Sequence, residues 1–198
     1  NLTINHIISF CNGVFHGKST EFTVSHISID SRSLQNGYNT LFFAIKGQNH
    51  DAHLYLDELI AKGVRYFVVE YIPEHLSEKA NFIIVENSLK ALQQTAIGYR
   101  KQFVFPFVGI TGSNGKTIVK EWLNFLLSPN HLIVRNPKSY NSQVGVALSI
   151  IGIEGNYDLG IFEAGISKMN EMEKLETIIK PTIGIITNIG SAHDEGFE

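Results

Sequence analysis

Cysteine is nearly absent from this chain, in which Cys11 is the one thiol among 198 residues. An internal disulfide is therefore excluded, and a single cysteine is typical of proteins in a reducing cytoplasm. No activating pattern surrounds Cys11, so we expect a buried or half-buried helix residue rather than a catalytic thiol. No apolar run approaches the length that crosses a bilayer, and no basic start with an apolar segment marks a signal peptide. We expect a cytoplasmic chain without membrane insertion.

An excess of charge of one sign is also missing. The formal net charge is −3 and the isoelectric point is near 6.3, which gives no electrostatic basis for binding nucleic acid or an anionic membrane. Apolar residues, by contrast, make up 43% of the chain, and charged residues make up 18%. A chain of this size and composition can bury the core of one large domain or of two modest ones.

The most informative segment covers residues 109–117 and reads Gly-Ile-Thr-Gly-Ser-Asn-Gly-Lys-Thr. It follows a short apolar run and precedes a helical pattern. A strand, a glycine-rich turn and a helix N-terminus in this order form a nest of backbone N–H groups, which binds phosphate together with the helix dipole. In such a loop Lys116 reaches the β- and γ-phosphates of a nucleoside triphosphate, and the Thr117 hydroxyl is a ligand of Mg²⁺. The predicted nucleotide-binding residues are Gly112, Ser113, Asn114, Gly115, Lys116 and Thr117.

The spacing of this loop differs from the standard P-loop pattern. That pattern has a glycine five residues before the glycine of Gly-Lys-Thr, and Ile110 stands at that position here. The alternative interpretation is a glycine-rich surface turn that happens to precede a lysine. Because strand, turn, Lys-Thr and helix all follow in register, the nucleotide site is favoured. The loop does not indicate what the nucleotide is used for.

Hydrophobic periodicity predicts an α/β chain of two parts. We assign residues 1–103 to a small α/β domain and residues 104–198 to a truncated P-loop domain with a parallel sheet. In the first part, helices are predicted near residues 4–11, 52–63 and 88–101, and strands at 22–29, 41–45, 66–69 and 82–85. In the second part, strands are predicted at 107–110, 132–134, 159–162 and 183–186, with helical patterns between them. This alternation is typical of right-handed βαβ units.

The helices of the second part are predicted to bury one face each. After the glycine loop that face would comprise Val119, Trp122, Leu123 and Leu126, and in the last helix Met172, Leu175, Ile178 and Ile179. The chain has no initiator methionine and stops just beyond its fourth parallel strand. We therefore expect a fragment cut inside its second domain, with the remainder of the same polypeptide completing it.

Polar residues that follow the parallel strands are the candidates for chemistry, because ligands collect at the carboxyl ends of such strands. Glu163 ends the third strand, and a carboxylate beside Thr117 would suit a triphosphate-bound Mg²⁺; the alternative is a helix cap or a surface carboxylate. Asn188 and His193 follow the fourth strand, and by position alone His193 is as readily a structural residue. Asn141, after the second strand, would contact substrate or phosphate, or cap the helix at 144–151.

Two polar segments follow strands in the first domain. The first, Asp-Ser-Arg at 30–32, is a binding candidate, with a turn and a local ion pair as the alternative. The second, residues 46–53, precedes a helix, and Asp51 could cap the N-terminus of that helix. His50 and His53 are three residues apart at a loop–helix junction without further ligand residues, so we reject a zinc site.

With these motifs in place, the chain resembles the Mur ligases, the ATP-dependent amide-forming enzymes of bacterial cell-wall precursor synthesis. The off-standard loop at 109–117 resembles theirs. The series Asp-Ser-Arg at 30–32, Leu-Phe-Phe-Ala-Ile-Lys-Gly at 41–47 and Asp-Ala-His at 51–53 is similar to the UDP-sugar-binding domain of the third-step and fourth-step members. The resemblance covers essentially all 198 residues. Some members of the family with similar sequences are fused to an alanine racemase.

Residues after the later strands resemble the fourth-step ligases, which add D-alanyl-D-alanine to UDP-N-acetylmuramoyl-tripeptide. They read Glu-Ala-Gly at 163–165, Asn-Glu-Met at 170–172 and Thr-Asn-Ile-Gly-Ser-Ala-His at 187–193. Two positions depart from the family pattern. Asn141-Ser142 stands where the family has Asn-Asn, and 170–172 stands where it has Gly-Glu-Ile. Neither departure touches the loop lysine or the carboxylate, so they affect substrate detail more than reaction type.

The resemblance implies roles for the candidate residues. Lys116 and the loop N–H groups would hold the β- and γ-phosphates of ATP, Thr117 and Glu163 would hold one Mg²⁺, and His193 would hold a second metal ion. Asn141 and Asn188 would line the site. The UDP-sugar would meet Asp30, Ser31, Arg32, Lys46, Asn49, His50, Asp51 and His53.

The resemblance also places a modified lysine and a third domain beyond residue 198, so we expect this fragment alone to be inactive. Three alternatives are kept. One is a third-step Mur ligase, which adds a diamino acid or lysine. Another is a folylpolyglutamate synthetase, although that family has no counterpart of the series from Asp30 to His53. The last is a non-catalytic nucleotide-binding module.

Overall fold

A computed structural model of the chain describes residues 2–47, 49–138, 140–165 and 171–190. Contacts divide the chain into two compact units, Asn1–Thr95 and Ala96–Glu198. The division falls inside a helix, before the predicted boundary at 103/104, because the last turns of that helix pack within the second unit. There the Tyr99 hydroxyl donates to the Ile153 carbonyl (3.2 Å) and Arg100 Nε donates to the Ile179 carbonyl (2.7 Å).

The first unit is a five-stranded sheet with helices. Its elements are α1 (Ile4–Cys11), β1 (Val14–His16), β2 (His26–Ser28), β3 (Thr40–Phe43), α2 (Leu56–Ala61), β4 (Tyr66–Val69), β5 (Asn81–Ile84) and the start of α3 (Ser88–Arg100). The strand order is β1-β5-β4-β3-β2. Strands β2 to β5 are parallel, and β1 is antiparallel to β5. Every residue of β3 and β4 is buried.

Helix α1 shows how local sequence sets an element. The Thr3 hydroxyl accepts from the His6 N–H, and the His6 ring accepts from the Thr3 N–H (3.3 Å each), so two N-terminal donors are satisfied. Asn12 ends the helix in the left-handed conformation with φ of 52°. Cys11 lies on the buried face, as predicted, and burial raises the pKa of its thiol.

The predicted strand at 22–29 is wrong over its first half. Only His26–Ser28 joins the sheet. The preceding residues bond instead to the segment before α1, since Val24 donates to the Leu2 carbonyl (2.9 Å) and Ile4 donates to the Phe22 carbonyl (3.3 Å). Apolar and polar residues do alternate here, but these residues pair with the start of the chain and not with the sheet. The short edge strand β1 was not predicted.

The second unit is a four-stranded parallel sheet flanked by helices. After α3 come β6 (Phe107–Thr111), α4 (Lys116–Leu127), β7 (Ile133–Arg135), α5 (Gln143–Ile151), β8 (Leu159–Glu163), α6 (Glu171–Ile179) and β9 (Ile183–Ile186). The strand order is β7-β8-β6-β9. Strand β6 therefore lies between β8 and β9. The α/β class and the parallel sheet of this unit are confirmed. None of the helices in the described ranges is long and apolar enough to cross a membrane.

The predicted buried face of α4 is half wrong. Val119 and Leu123 pack against the core, but Trp122 and Leu126 are 67% and 66% exposed. The reason is that Lys120, which periodicity counts as polar, takes a sheet-facing position and is fully buried. In α6, the predicted Leu175, Ile178 and Ile179 are buried.

Candidate functional site

The site of the second unit lies where β6, β8 and β9 end. These strands are parallel neighbours, so their carboxyl ends meet at one edge of the sheet. The glycine loop leaves β6 after Thr111 and leads into α4, whose first residue is Lys116. The residue before α4 is Gly115, with φ of 82°, which has no side chain to cap the first turn. The amide groups of that turn thus face outward from a helix N-terminus, which favours an anion.

Gly112 is required by its surroundings. Its φ is 131°, a region that side chains rarely adopt, and a Cβ there would lie 2.2 Å from Thr187 Oγ1 and 2.9 Å from the Asn188 carbonyl oxygen. The loop therefore passes tightly against the residues that follow β9.

Those residues hold the loop in shape. The Ser113 N–H donates to the Asn188 carbonyl (3.0 Å), and the Asn114 N–H donates to Asn188 Oδ1 (2.8 Å). The Thr187 hydroxyl bonds to the Asn114 carbonyl. Asn188 was predicted to bind the nucleotide; its amide oxygen holds the loop, and a contact of this residue with the nucleotide stays a prediction.

Lys116 lies over the loop. Its Nζ donates to the Gly112 carbonyl at 2.6 Å, and the Ser113 carbonyl lies 3.5 Å away. Thr117, the next residue of α4, is half-buried. Lys116 and Thr117 are thus the first two residues of α4, as the sequence predicts for a phosphate loop.

Glu163 ends β8 and pairs with Ile110 of β6. Its side chain is fully buried. Asn136 fixes the backbone of Glu163 from both sides, because Asn136 Oδ1 accepts from its N–H (3.0 Å) and Asn136 Nδ2 donates to its carbonyl (3.1 Å). The alternatives of a surface carboxylate and a helix cap do not apply to a buried strand residue.

The carboxylate of Glu163 has no hydrogen-bond partner for either oxygen among the described residues. A buried carboxylate without partners is costly, which is why such groups pair with cations or bind metals. Lys120 Nζ lies 3.7 Å from Glu163 Oε2. A carboxylate and the Thr117 hydroxyl are hard oxygen donors, so these residues fit Mg²⁺.

Sequence reasoning missed Lys120 and Asn136. One signal was available for Lys120, which follows Lys116 by one helical turn and must therefore share its face of α4. No sequence signal marks Asn136, whose role depends on β7 lying beside β8.

Asn141 lies next to the end of β8. Its carbonyl accepts from the Gly165 N–H (2.8 Å), and a Cβ on Gly165 would lie 2.8 Å from Asn141 Cγ. The helix cap considered for Asn141 is wrong, because the Ser142 hydroxyl accepts from the Gly145 N–H (3.1 Å) and caps α5. A contact of Asn141 with substrate stays a prediction. His193 and Asn170 lie outside the described residues.

In the first unit, the candidates follow β2 and β3, which are parallel neighbours. Asp30 accepts from Arg32 Nε (2.9 Å) and Arg32 Nη2 (2.8 Å), so the local ion pair is confirmed. The hydrogen bonds from Arg32 lower the pKa of Asp30 to about 2, and the charge of nearby His50 adds to this effect. The ring of His50 stacks on Tyr55 (5.3 Å).

Asp51 and the buried His53 are joined by hydrogen bonds in this unit. The Asp51 carboxylate accepts from the His53 N–H (2.9 Å) and from His53 Nδ1 (2.6 Å). His53 Nε2 in turn accepts from the Glu70 N–H (2.9 Å). Burial alone would raise the pKa of Asp51, but the bonds from His53 outweigh it and lower the pKa. Since both ring nitrogens of His53 are occupied and its side chain is fully buried, the geometry favours His53 as a support for Asp51.

The remaining first-unit candidates differ in exposure. Lys46, Asn49 and His50 are exposed. Ser31 is buried, and its carbonyl accepts from Lys62 Nζ (3.0 Å). Lys46 pairs with Asp51 through the backbone, so the two ends of this loop lie together.

A parallel sheet with a glycine loop after a central strand and a carboxylate at the end of the next strand defines the P-loop class of α/β domains. Residues 110–198 match a family model described as the Mur ligase middle domain. The part of the chain that this model covers belongs to the Mur ligase family.

Three similar proteins support this assignment. A UDP-N-acetylmuramoyl-tripeptide–D-alanyl-D-alanine ligase from Borreliella burgdorferi is 36% identical over 192 residues, in an alignment that covers 91% of this chain and 41% of that protein. MurF from Acinetobacter baumannii is 26% identical with a TM-score of 0.89, over 96% of this chain and 42% of that one. MurF from Thermotoga maritima, solved in complex with ADP, is 28% identical with a TM-score of 0.75, over 85% and 38%. The chain thus spans about two fifths of the length of these relatives.

Proposed function

We propose that this chain is part of an ATP-dependent ligase that joins D-alanyl-D-alanine to UDP-N-acetylmuramoyl-tripeptide. The proposal rests on two features at neighbouring strand ends. Lys116 lies over the glycine loop that follows β6, and the buried carboxylate of Glu163 ends β8. The substrates are taken from the names of the relatives, which are ligases of this type. The ADP complex of a similar structure supports a nucleotide at the loop.

In the first step, the terminal carboxylate of the peptide attacks the γ-phosphorus of ATP, so that an acyl phosphate forms and ADP leaves. The reacting groups are both anionic, so catalysis here is mainly positioning and charge neutralisation. The Lys116 ammonium and the N–H groups at the start of α4 hold the β- and γ-phosphates. Mg²⁺, when bound, would neutralise phosphate charge, held by the Thr117 hydroxyl and the Glu163 carboxylate. His193 is proposed as the ligand of a second metal ion.

In the second step, the amine of D-alanyl-D-alanine attacks the acyl carbon. The amide bond forms, the phosphate leaves and the amine loses a proton. Asn141 and the Nδ2 group of Asn188 are proposed to contact the bound molecules near the loop. The brace from Asn188 to Ser113 and Asn114 keeps the loop in one conformation, which lowers the entropy lost on binding.

The first reaction test uses full-length protein with ATP, UDP-N-acetylmuramoyl-tripeptide and one amine at a time. We expect one ADP and one phosphate per amide formed with D-alanyl-D-alanine, and no product with lysine or a diamino acid. Coupled ADP release and mass spectrometry of the product measure this. Turnover with a single amino acid would instead indicate a third-step ligase. Nucleotide binding without any ligation would indicate a non-catalytic module.

We also propose that the first unit binds the UDP-sugar end of the substrate. Four candidates are exposed and basic or polar, namely Arg32, Lys46, Asn49 and His50, and the loops that carry them follow the neighbouring parallel strands β2 and β3. These loops are held in place by hydrogen bonds of the Ser31 carbonyl and between Asp51 and the buried His53. Asp30 orients Arg32 through its two hydrogen bonds.

A substitution in this unit separates the two ligands. Arg32→Gln removes an exposed charge that would face a diphosphate, so we expect KM for the UDP-peptide to rise roughly tenfold while KM for ATP stays unchanged. Steady-state kinetics with each substrate varied in turn measure this. Lys79→Gln, an exposed lysine just before the amino end of β5, serves as the control, because the candidates follow the carboxyl ends of β2 and β3. Equal changes in both KM values would contradict the assignment.

A further inference from the structure

Lys120 has no role in the mechanism above, yet its side chain is fully buried on α4. Its Nζ donates to the Asn136 carbonyl (2.9 Å) and to the Lys138 carbonyl. The same nitrogen lies 3.7 Å from Glu163 Oε2 and 3.6 Å from Glu121 Oε1. Lysine is almost never fully buried unless it is paired, so this position has to be explained by a partner.

Glu163 is the buried partner. Both side chains of this ion pair are fully buried, whereas the Glu121 side chain is 44% exposed and also pairs with Arg135. The separation of 3.7 Å is that of an ion pair without a hydrogen bond, so Lys120 balances the charge of Glu163 and leaves both oxygens without a donor among the described residues. Those oxygens are therefore still able to ligate a cation.

We propose that Lys120 is the internal counter-ion of Glu163, which stabilises the buried carboxylate without metal and opposes metal binding at it. The proposal rests on the proposed function, because the metal at Glu163 is part of it. The opposition follows from charge, since an ammonium group and a divalent cation share one carboxylate in a buried site. Coupling of this kind is reciprocal, so loss of Lys120 must strengthen metal binding.

A purely structural role makes the opposite prediction. Lys120 also fastens Asn136 and Lys138 to α4, and Asn136 positions the backbone of Glu163. If this fastening were its whole contribution, replacing Lys120 would displace Glu163 and weaken metal binding. The direction of the change in Mg²⁺ dependence therefore distinguishes the two roles.

The test uses Lys120→Gln, because glutamine removes the charge and still offers an N–H group to the backbone carbonyls; Lys120→Met is the second variant. In the full chain with ADP, thermal stability is followed as Mg²⁺ is added. We expect the Mg²⁺ midpoint of Lys120→Gln to fall roughly tenfold below that of the wild type, because a nearby positive charge has been removed. Lys174→Met, an exposed lysine of α6, is the matched control and should keep the wild-type midpoint.

A second measurement addresses the ion pair without metal. Denaturant unfolding in chelator-treated buffer compares the wild type, Lys120→Gln, Glu163→Gln and the double variant. We expect the double variant to be more stable than Lys120→Gln, because the unpaired carboxylate is gone. Two results would overturn the proposal. One is an Mg²⁺ midpoint that is unchanged or higher in both Lys120 variants. The other is a double variant whose loss of unfolding free energy equals the sum of the losses in Lys120→Gln and Glu163→Gln. If Mg²⁺ did not change the thermal stability of the wild type with ADP, the proposed metal site and its competition with Lys120 would be refuted. The unfolding measurements would still show whether Lys120 and Glu163 form a stabilising ion pair.

Discussion

Lys116→Met is expected to lower kcat/KM for ATP roughly a thousandfold, about 4 kcal/mol of transition-state stabilisation. Lys116 stands at the first position of α4, with its ammonium group directly over the glycine loop. Methionine keeps the length and apolar stem of the side chain but removes the charge that neutralises the β- and γ-phosphates. The measurement is steady-state turnover in the full-length protein, together with calorimetric ADP affinity.

The control for this change is Lys101→Met, an exposed lysine just after α3. We expect it to leave both ADP affinity and turnover at wild-type values. If Lys116→Met also kept wild-type ADP affinity and turnover, the Lys116 ammonium group would only bind the Gly112 carbonyl and would not contact phosphate. The assignment of the phosphate loop would then be wrong.

Glu163→Gln is expected to remove the Mg²⁺ dependence of ADP binding and to reduce turnover at least roughly a hundredfold. The amide is close to the carboxylate in shape, and Asn136 holds only the backbone of this residue, so the fold around β8 should persist. What is lost is the anionic oxygen that a hard cation requires. Titration of ADP binding with and without Mg²⁺ measures the effect.

Two results would count against this metal site. The first is a Glu163→Gln variant whose ADP affinity still rises with Mg²⁺ as in the wild type. The second is an equal loss in Glu173→Gln, where an exposed carboxylate of α6 is neutralised. Either outcome would move the metal to other ligands or remove it from the mechanism.

The elements with strong local signals were predictable from sequence. Strands at 66–69 and 183–186 have the predicted bounds, because turn residues flank continuous apolar runs. The strand, glycine loop and helix at 107–127 were also predictable, since the glycines, lysine and threonine of the loop are close together in the sequence. Strand β1, with three residues and an exposed Val14, is too short to show a period.

What could not be predicted depends on contacts between distant segments. Trp122 is exposed because Lys120 occupies the buried side of α4, and its buried partner Glu163 comes from another strand. Likewise, Asn188 reads as a ligand from its place after β9, and only the packing of β9 beside β6 shows that its amide oxygen holds the loop. Periodicity describes one element at a time and carries no information on such pairs.

The brace between Asn188 and the glycine loop also bears on how this protein folds. The bond from the Asn114 N–H to Asn188 Oδ1 joins residues 74 positions apart, and a side chain at position 112 would clash with Thr187. Contacts of such sequence separation form late, because the chain between them must first be ordered. We therefore expect the binding surface of this loop to form only once β9 has docked, so that a nascent or partly folded molecule would not bind a nucleotide before its sheet is assembled.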